Sequence, residues 1–152
     1  MADIILVNPH GKKFIGDYTL PLGLLQSSVY INGKYDVKIL DLRIKPNWKA
    51  ALLSELKKEP YFVGISTYTG PNLKSVLEIS KFVKENSQAL VVWGGIHVTQ
   101  LPGQSLENPF VDIVVKGEGE ITFMELADAI INKKTLKGIQ GVWYKENGII
   151  KS

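Results

Sequence analysis

The sequence predicts an α/β fold, a parallel sheet held between two helix layers, and three observations carry that expectation. Five short apolar runs recur along the 152 residues, each too short for a helix and rich in Val, Ile and Leu. Stretches with apolar residues at helical spacing lie between them. Four of the runs lead into asparagine, glycine or small hydroxyl residues and the second ends on Asp41, as strands do when they hand over to loops. Repeated strand–helix alternation implies right-handed crossovers and helices on both faces. Five strands of this length favour the flavodoxin-like (Rossmann-like) order 2-1-3-4-5.

Ile4-Ile5-Leu6-Val7 is the first strand, stopped by Asn8-Pro9-His10-Gly11. A loop follows as far as Thr19, longer than most strand-to-helix connections, and such loops tend to carry function. Pro21 suits a first helical turn, Leu22, Leu24, Leu25, Val29 and Tyr30 keep helical spacing, and Asn32-Gly33 closes the helix. Val37-Lys38-Ile39-Leu40-Asp41 is the second strand. Asn47 caps a helix over about 48–58. Tyr61-Phe62-Val63-Gly64-Ile65-Ser66 is the third strand, and Pro71 and Asn72 open the next helix. The fourth strand, 89–93, ends in Gly94-Gly95, followed by a polar connection and a short helix or turn near 104–107. The fifth strand, 111–115, ends in Gly117-Glu118-Gly119-Glu120, and a helix over 121–132 follows. Val142-Trp143-Tyr144, Asn147-Gly148 and Ile149-Ile150 read as a C-terminal hairpin, an edge ribbon or a connection onward.

Composition narrows the classes of function. There is no cysteine, which excludes disulfides, thiolate nucleophiles and thiolate-held zinc or iron–sulfur clusters within the chain. A net charge of +3 with scattered lysines points to neither nucleic acid nor a membrane surface as partner. No signal peptide is visible and no apolar run approaches the ~20 residues of a membrane span, so a cytoplasmic setting is expected.

In the expected sheet, the loops leaving strands one, three, four and five share one edge. They gather residues 8–19, 66–70, 94–97 and 117–120, all rich in glycine or small hydroxyls. Such a set suggests a broad pocket walled mostly by backbone, because each missing Cβ lets a ligand come closer. The alternative is that these glycines only make tight turns. A dinucleotide is disfavoured, since the first loop lacks Gly-x-Gly-x-x-Gly and no Walker-type lysine motif occurs. A phosphoacceptor receiver would need an aspartate where Ser66 stands and acidic residues where Asn8 stands. His10 and His97 lack the carboxylate–histidine spacing of a zinc site, and no serine sits in a nucleophile elbow.

More specific is the run of segments Asn8-Pro9, Leu20-Pro21-Leu22-Gly23-Leu24-Leu25, Val63-Gly64-Ile65-Ser66 and Trp93-Gly94-Gly95-Ile96-His97-Val98-Thr99. It continues through Leu101-Pro102, Glu107-Asn108-Pro109, Val111 to Glu120 and Gly138-Ile139-Gln140-Gly141-Val142. Taken in order, these cover essentially the whole chain. They resemble the cobalamin-binding domain of cobalamin-dependent radical SAM enzymes, methyltransferases and cyclases like the anaerobic magnesium-protoporphyrin monomethyl ester cyclase. Gly-Gly-x-His and Gly-Glu-Gly-Glu are the most specific pieces. The resemblance implies cobalamin as cofactor, its corrin ring across the C-terminal edge of the sheet and its nucleotide tail inside the domain, base-off. It further implies that Asn8, His10, Tyr18, Leu20, Ser66, Thr67, Tyr68, Thr69, Gly70, Gly94, Gly95, His97, Gly117, Glu118, Gly119 and Glu120 surround the cofactor. His97 is expected as a pocket-lining donor.

Two departures qualify the likeness. Related methionine-synthase and mutase domains carry Asp-x-His-x-x-Gly, whose histidine ligates cobalt, whereas here Asn8 replaces the aspartate and Lys13 the glycine. His10 is therefore a candidate cobalt ligand that lacks the carboxylate that would orient it. The second departure is that the radical SAM barrel and its three-cysteine motif are absent. An iron–sulfur cluster and S-adenosylmethionine would belong to a catalytic domain acting in cis or in trans. The expected division is a cobalamin-binding domain over 1–137 and a hairpin connector toward that domain over 138–152. A competing reading is a degenerate flavodoxin-like docking module without cofactor. A bulky residue at Gly95 should discriminate the two if the fold survives it.

Overall fold

The computed structural model describes residues 2–11, 20–70 and 72–152. Its sheet contains β1 (Ile4–Asn8), β2 (Val37–Asp41), β3 (Phe62–Ser66), β4 (Leu90–Gly94), β5 (Ile113–Val115), β6 (Val142–Glu146) and β7 (Ile149–Lys151). The spatial order is β2-β1-β3-β4-β5-β6-β7. The first five strands are parallel in the expected order, and β6 and β7 extend the sheet antiparallel. The expectation of a five-stranded sheet is thus corrected to seven strands, the C-terminal hairpin joining it as an edge ribbon. Val142 and Tyr144 supply the reason, since both are buried in the core and draw β6 against β5. This pairing also covers a strand edge that would otherwise be open. Asn147 and Gly148 both have positive φ, as a two-residue hairpin turn requires.

Register decides what each face of the sheet carries. Leu6, Gly64, Val92 and Ile113 lie side by side in one row, and Val7, Ile65, Trp93 and Val114 in the next. Because side chains alternate along a strand, the two rows face opposite layers. Ile5, Val7, Val63, Ile65, Val91, Trp93 and Val114 pack under α2 (Trp48–Leu56) and α3 (Asn72–Asn86). The Trp93 indole Nε1 donates to Ser80 Oγ at 2.8 Å, which satisfies the one polar atom of that buried ring. Ile4, Leu6, Phe62, Val92, Ile113 and Val115 form the second cluster with Phe123, Leu126 and Ala127 of α6 (Glu120–Ile131) and Leu24 of α1 (Leu22–Val29).

Where a polar connection was expected after β4, the chain instead forms α4 (Ile96–Gln100), and the short helix or turn expected near 104–107 is α5 (Pro102–Glu107). Only Val98 and Leu106 give these short helices a fully buried apolar side, too few positions for a helical period to be read. At the opposite end of the sheet, Asp112 fastens β4 to β5. It accepts the Val91 N–H at 2.7 Å and two bonds from Lys84 Nζ at 2.7 and 2.9 Å. Among the described residues, no helix is long and apolar enough to cross a membrane.

Candidate functional site

A cavity of about 360 Å³ opens at the C-terminal edge of β3, β4 and β5, beneath α1 and the start of α6. Its inner wall is the second face of the sheet, where Leu6, Gly64, Val92 and Val115 meet Phe123 and Leu24. Its mouth is ringed by Ser66, Tyr68, Gly94, Gly95, Ile96, Thr99 and the segment Gly117 to Glu120. Tyr68 and Ile96 remain half exposed there. The Thr99 hydroxyl joins two of the exit loops: it donates to Gly95 O at 2.9 Å and accepts the Gly117 N–H at 3.0 Å.

The strand alternation explains why a cavity forms on this face. Gly64, Ser66 and Gly94 share the face of Leu6, whereas Val63, Ile65 and Trp93 fill the opposite one. Small residues thus occupy one side of two central strands, and the helices above them cannot close down completely. The glycines differ in what requires them. Gly95 has φ +112°, and a Cβ there would stand 2.6 Å from Thr67 O. Its smallness is demanded by the fold itself. Gly94 has no positive φ, and a Cβ there would meet nothing within 4 Å. Nothing within the described chain requires glycine at that position, and the vacant space lies in the cavity. At Gly64 a Cβ would approach Leu6 Cδ2 to 2.8 Å and Phe123 Cε2 to 3.7 Å, so the core itself already covers this glycine.

Of the residues anticipated at this edge, Ser66, Tyr68, Gly94, Gly95, Gly117, Glu118, Gly119 and Glu120 line the cavity. Thr67, Thr69, Gly70 and His97 are not among the residues that line it. Thr67 is fully buried, and its Oγ1 donates to Gly94 O at 2.8 Å, tying the exit of β3 to that of β4. His97 is buried in α4 with Nδ1 3.4 Å from Thr69 Oγ1, a loop-to-helix contact outside the cavity wall. Asn8 turns to β2, where its Nδ2 donates to Asp41 Oδ1 at 3.3 Å. Burial pushes the Asp41 carboxyl up, but the Arg43 guanidinium and backbone N–H, with Asn8, outweigh it and hold the group below its usual value. Leu20 is exposed just ahead of α1. Tyr18 lies outside the described residues.

His10 belongs to the other layer. Its ring stacks on Trp48 with centroids 4.8 Å apart, and Nε2 stands 3.7 Å from Glu78 Oε2, beyond hydrogen-bond range. Nε2 is buried and has no hydrogen-bond partner among the described residues. Burial lowers the imidazole pKa below 6.5, against a smaller upward pull from Glu78. Sequence reasoning missed Gly23, Leu24, Ser27, Gly64, Thr99 and Phe123 as lining residues. Gly64 was detectable, because a glycine inside an otherwise apolar strand marks a close approach. Phe123 was not, since an aromatic on a helical face reads as ordinary core.

Comparison with known proteins bears on the family and the fold. Residues 15–127 match the family model described as the B12 binding domain. The uncharacterized methyltransferase PH0819 of Pyrococcus horikoshii is 39% identical over 145 residues, 93% of this chain and 31% of that protein. The cobalamin-dependent radical SAM methyltransferase TokK of Streptomyces tokunonensis is 41% identical over 70 residues, 45% of this chain and 10% of that protein. Among solved structures, the radical S-adenosylmethionine methyltransferase TsrM of Kitasatospora setae, with cobalamin and a [4Fe-4S] cluster bound, superposes with a TM-score of 0.85 at 25% identity. That match takes in 99% of this chain and 28% of TsrM. The chain therefore spans less than a third of each of these proteins.

Proposed function

Since the chain belongs to the B12-binding domain family, we propose that it holds cobalamin across the mouth of the cavity, with the nucleotide tail inserted base-off, as the cofactor module of a radical SAM methyltransferase. The observation that carries this reading is Gly94, a cavity residue whose missing side chain has no internal cause. A macrocycle needs a broad floor without Cβ atoms, and a tail needs a slot leading into the domain. Gly94 and Gly95 supply the floor, and the part of the cavity lined by Leu24, Gln26 and Ser27 of α1 supplies the slot.

The cofactor, when bound, supplies a cobalt centre able to carry a methyl group. The residues of this chain hold and orient it. The carboxylates of Glu118 and Glu120 are acceptors placed for the amide N–H groups on the corrin margin. Ser66 and Thr99 add hydroxyls at the mouth, and Tyr68 and Ile96 give apolar contact beside it. Through its hydrogen bonds to Gly95 and Gly117, Thr99 also keeps two of these loops in register before the ligand arrives, which lowers the ordering cost of binding. His10, stacked on Trp48 in the opposite layer, takes no part. A catalytic domain, in cis or in trans, would close over the mouth and bring the iron–sulfur cluster and S-adenosylmethionine.

The test is to mix the purified chain with hydroxocobalamin, desalt, and record the visible spectrum. Retention of about one corrin per chain, with a base-off spectrum, is expected. Complete loss of colour on desalting would refute cobalamin binding, and a base-on spectrum would refute the inserted tail.

A further inference from the structure

The loop leaving β3 carries an exposed aromatic ring on a backbone that is fastened on both sides of it. Tyr68 lines the mouth of the cavity and is half exposed. Its N–H donates to Asn72 Oδ1 at 3.1 Å, at the start of α3. Before it, Thr67 is fully buried, and its N–H and Oγ1 both donate to Gly94 O, at 2.7 and 2.8 Å. The packing there is close, since a Cβ on Gly95 would stand 2.6 Å from Thr67 O. Two further ties cross to α4 and meet at one residue. Thr69, itself exposed, has Oγ1 3.4 Å from Nδ1 of His97, and the His97 N–H donates to Thr67 O at 3.4 Å. His97 is buried and does not line the cavity. The helix that holds it also carries Ile96 at the mouth and Thr99, which joins Gly95 to Gly117.

We infer that His97 is a positioning residue: through Thr69 it fixes the β3 exit loop, so that Tyr68 is already set at the mouth when the ligand arrives. A half-exposed ring takes its direction from the backbone beneath it. A loose loop would have to be ordered on binding, and that entropy is subtracted from affinity. Rigid aromatic side chains are effective contacts because that cost has been met during folding. With His97 included, α4 gathers the exits of β3, β4 and β5 on one short helix: Thr69 and Thr67 from the first, Gly95 from the second, Gly117 from the third.

This inference rests on the reading that the mouth receives cobalamin, and the experiment separates the two. Without ligand, amide relaxation measured by NMR should give Tyr68 the order parameter of rigid backbone, about 0.85. Thr69→Val removes a hydroxyl at an exposed position with little change of shape, and His97→Leu removes the imidazole. Either should lower the Tyr68 value toward the flexible range below about 0.6. A Tyr68 amide as mobile in the unmodified chain as in Thr69→Val would overturn the inference whatever cobalamin does. In visible titrations each variant should bind cobalamin about two- to tenfold more weakly, the range of one hydrogen bond. Placed on Tyr68→Ala, the same substitutions should cost no further affinity. Losses that simply add would overturn the inference, because His97 would then act by another route. His97→Asn keeps a polar atom at the place of Nδ1 and should restore most of what His97→Leu loses; no recovery would overturn the assigned contact. Should His97→Leu fail to fold, Thr69→Val and its combination with Tyr68→Ala decide the matter. An unmodified chain that binds no cobalamin while Tyr68 is rigid would sink the underlying reading and leave the fastening of the loop standing.

Discussion

Replacing Gly94 by leucine separates the needs of the fold from those of the ligand. A Cβ at this position meets no atom within 4 Å, and the backbone requires no positive φ. The folded chain should therefore accept the side chain, with a change in stability within about 1 kcal/mol, since a glycine inside a strand is itself slightly unfavourable. The ligand has no such latitude. A leucine on the floor occupies space in a cavity of about 360 Å³, and overfilling a fitted site typically costs about 1–3 kcal/mol. That corresponds to a loss of cobalamin affinity of roughly five- to a hundred-and-fiftyfold. Gly95→Leu provides the contrast. With φ +112° and Thr67 O 2.6 Å from the new Cβ, it should lower the melting temperature whether or not ligand is present. Melting curves and cobalamin titrations of the two variants make the assay. A folded Gly94→Leu chain that binds cobalamin as tightly as the unmodified one would refute the placement of the corrin, and an unfolded one would refute the claim that the fold tolerates a side chain there.

Other outcomes follow from residues away from the floor. Because His10 is engaged with Trp48 on the far layer, His10→Ala should leave the spectrum of bound cobalamin unchanged; a shifted spectrum would show that imidazole reaches cobalt. The same ring gives a pH effect. Its pKa is lowered on folding, so the unfolded chain binds the proton more readily and stability rises with pH across that interval. Stability should thus fall as pH drops below about 6.5, and His10→Phe, which can keep the stack on Trp48, should flatten that part of the melting-temperature profile. Asp112→Ala removes the acceptor shared by Val91 N–H and Lys84, and should destabilise the chain by about 1–3 kcal/mol in urea titration without altering cobalamin affinity in the folded protein.

The order of the parallel strands was legible because apolar runs and helical periods alternate without interruption, and each carries its own punctuation. The edge of the site was legible for a related reason: glycines and hydroxyls cluster at strand exits, and topology brings those exits together. Depth was not. Whether Thr67 or Tyr68 points into the cavity depends on the path of the exit loop, and the two residues part company there, Thr67 toward Gly94 O and Tyr68 toward the mouth. His97 shows the same limit, because one short helix, unreadable as such, carries it outside the lining. The hairpin was recognised, but its union with the sheet depends on Val142 and Tyr144 finding a partner that only the assembled core provides.

The period of two along β3 and β4 ties these findings together. Val63, Ile65, Val91 and Trp93 form a tightly filled layer with α2 and α3, while Ser66 and Gly94 on the same strands leave the other layer open. Stability and binding are thus assigned to opposite faces of the same two strands. A substitution on the first face acts on the ligand only by loosening the sheet. At a position such as Gly94, by contrast, a substitution can abolish binding while the core beneath stays packed. The face of the sheet, more than distance from the mouth, is what decides whether a change in these strands is felt as lost stability or as lost affinity.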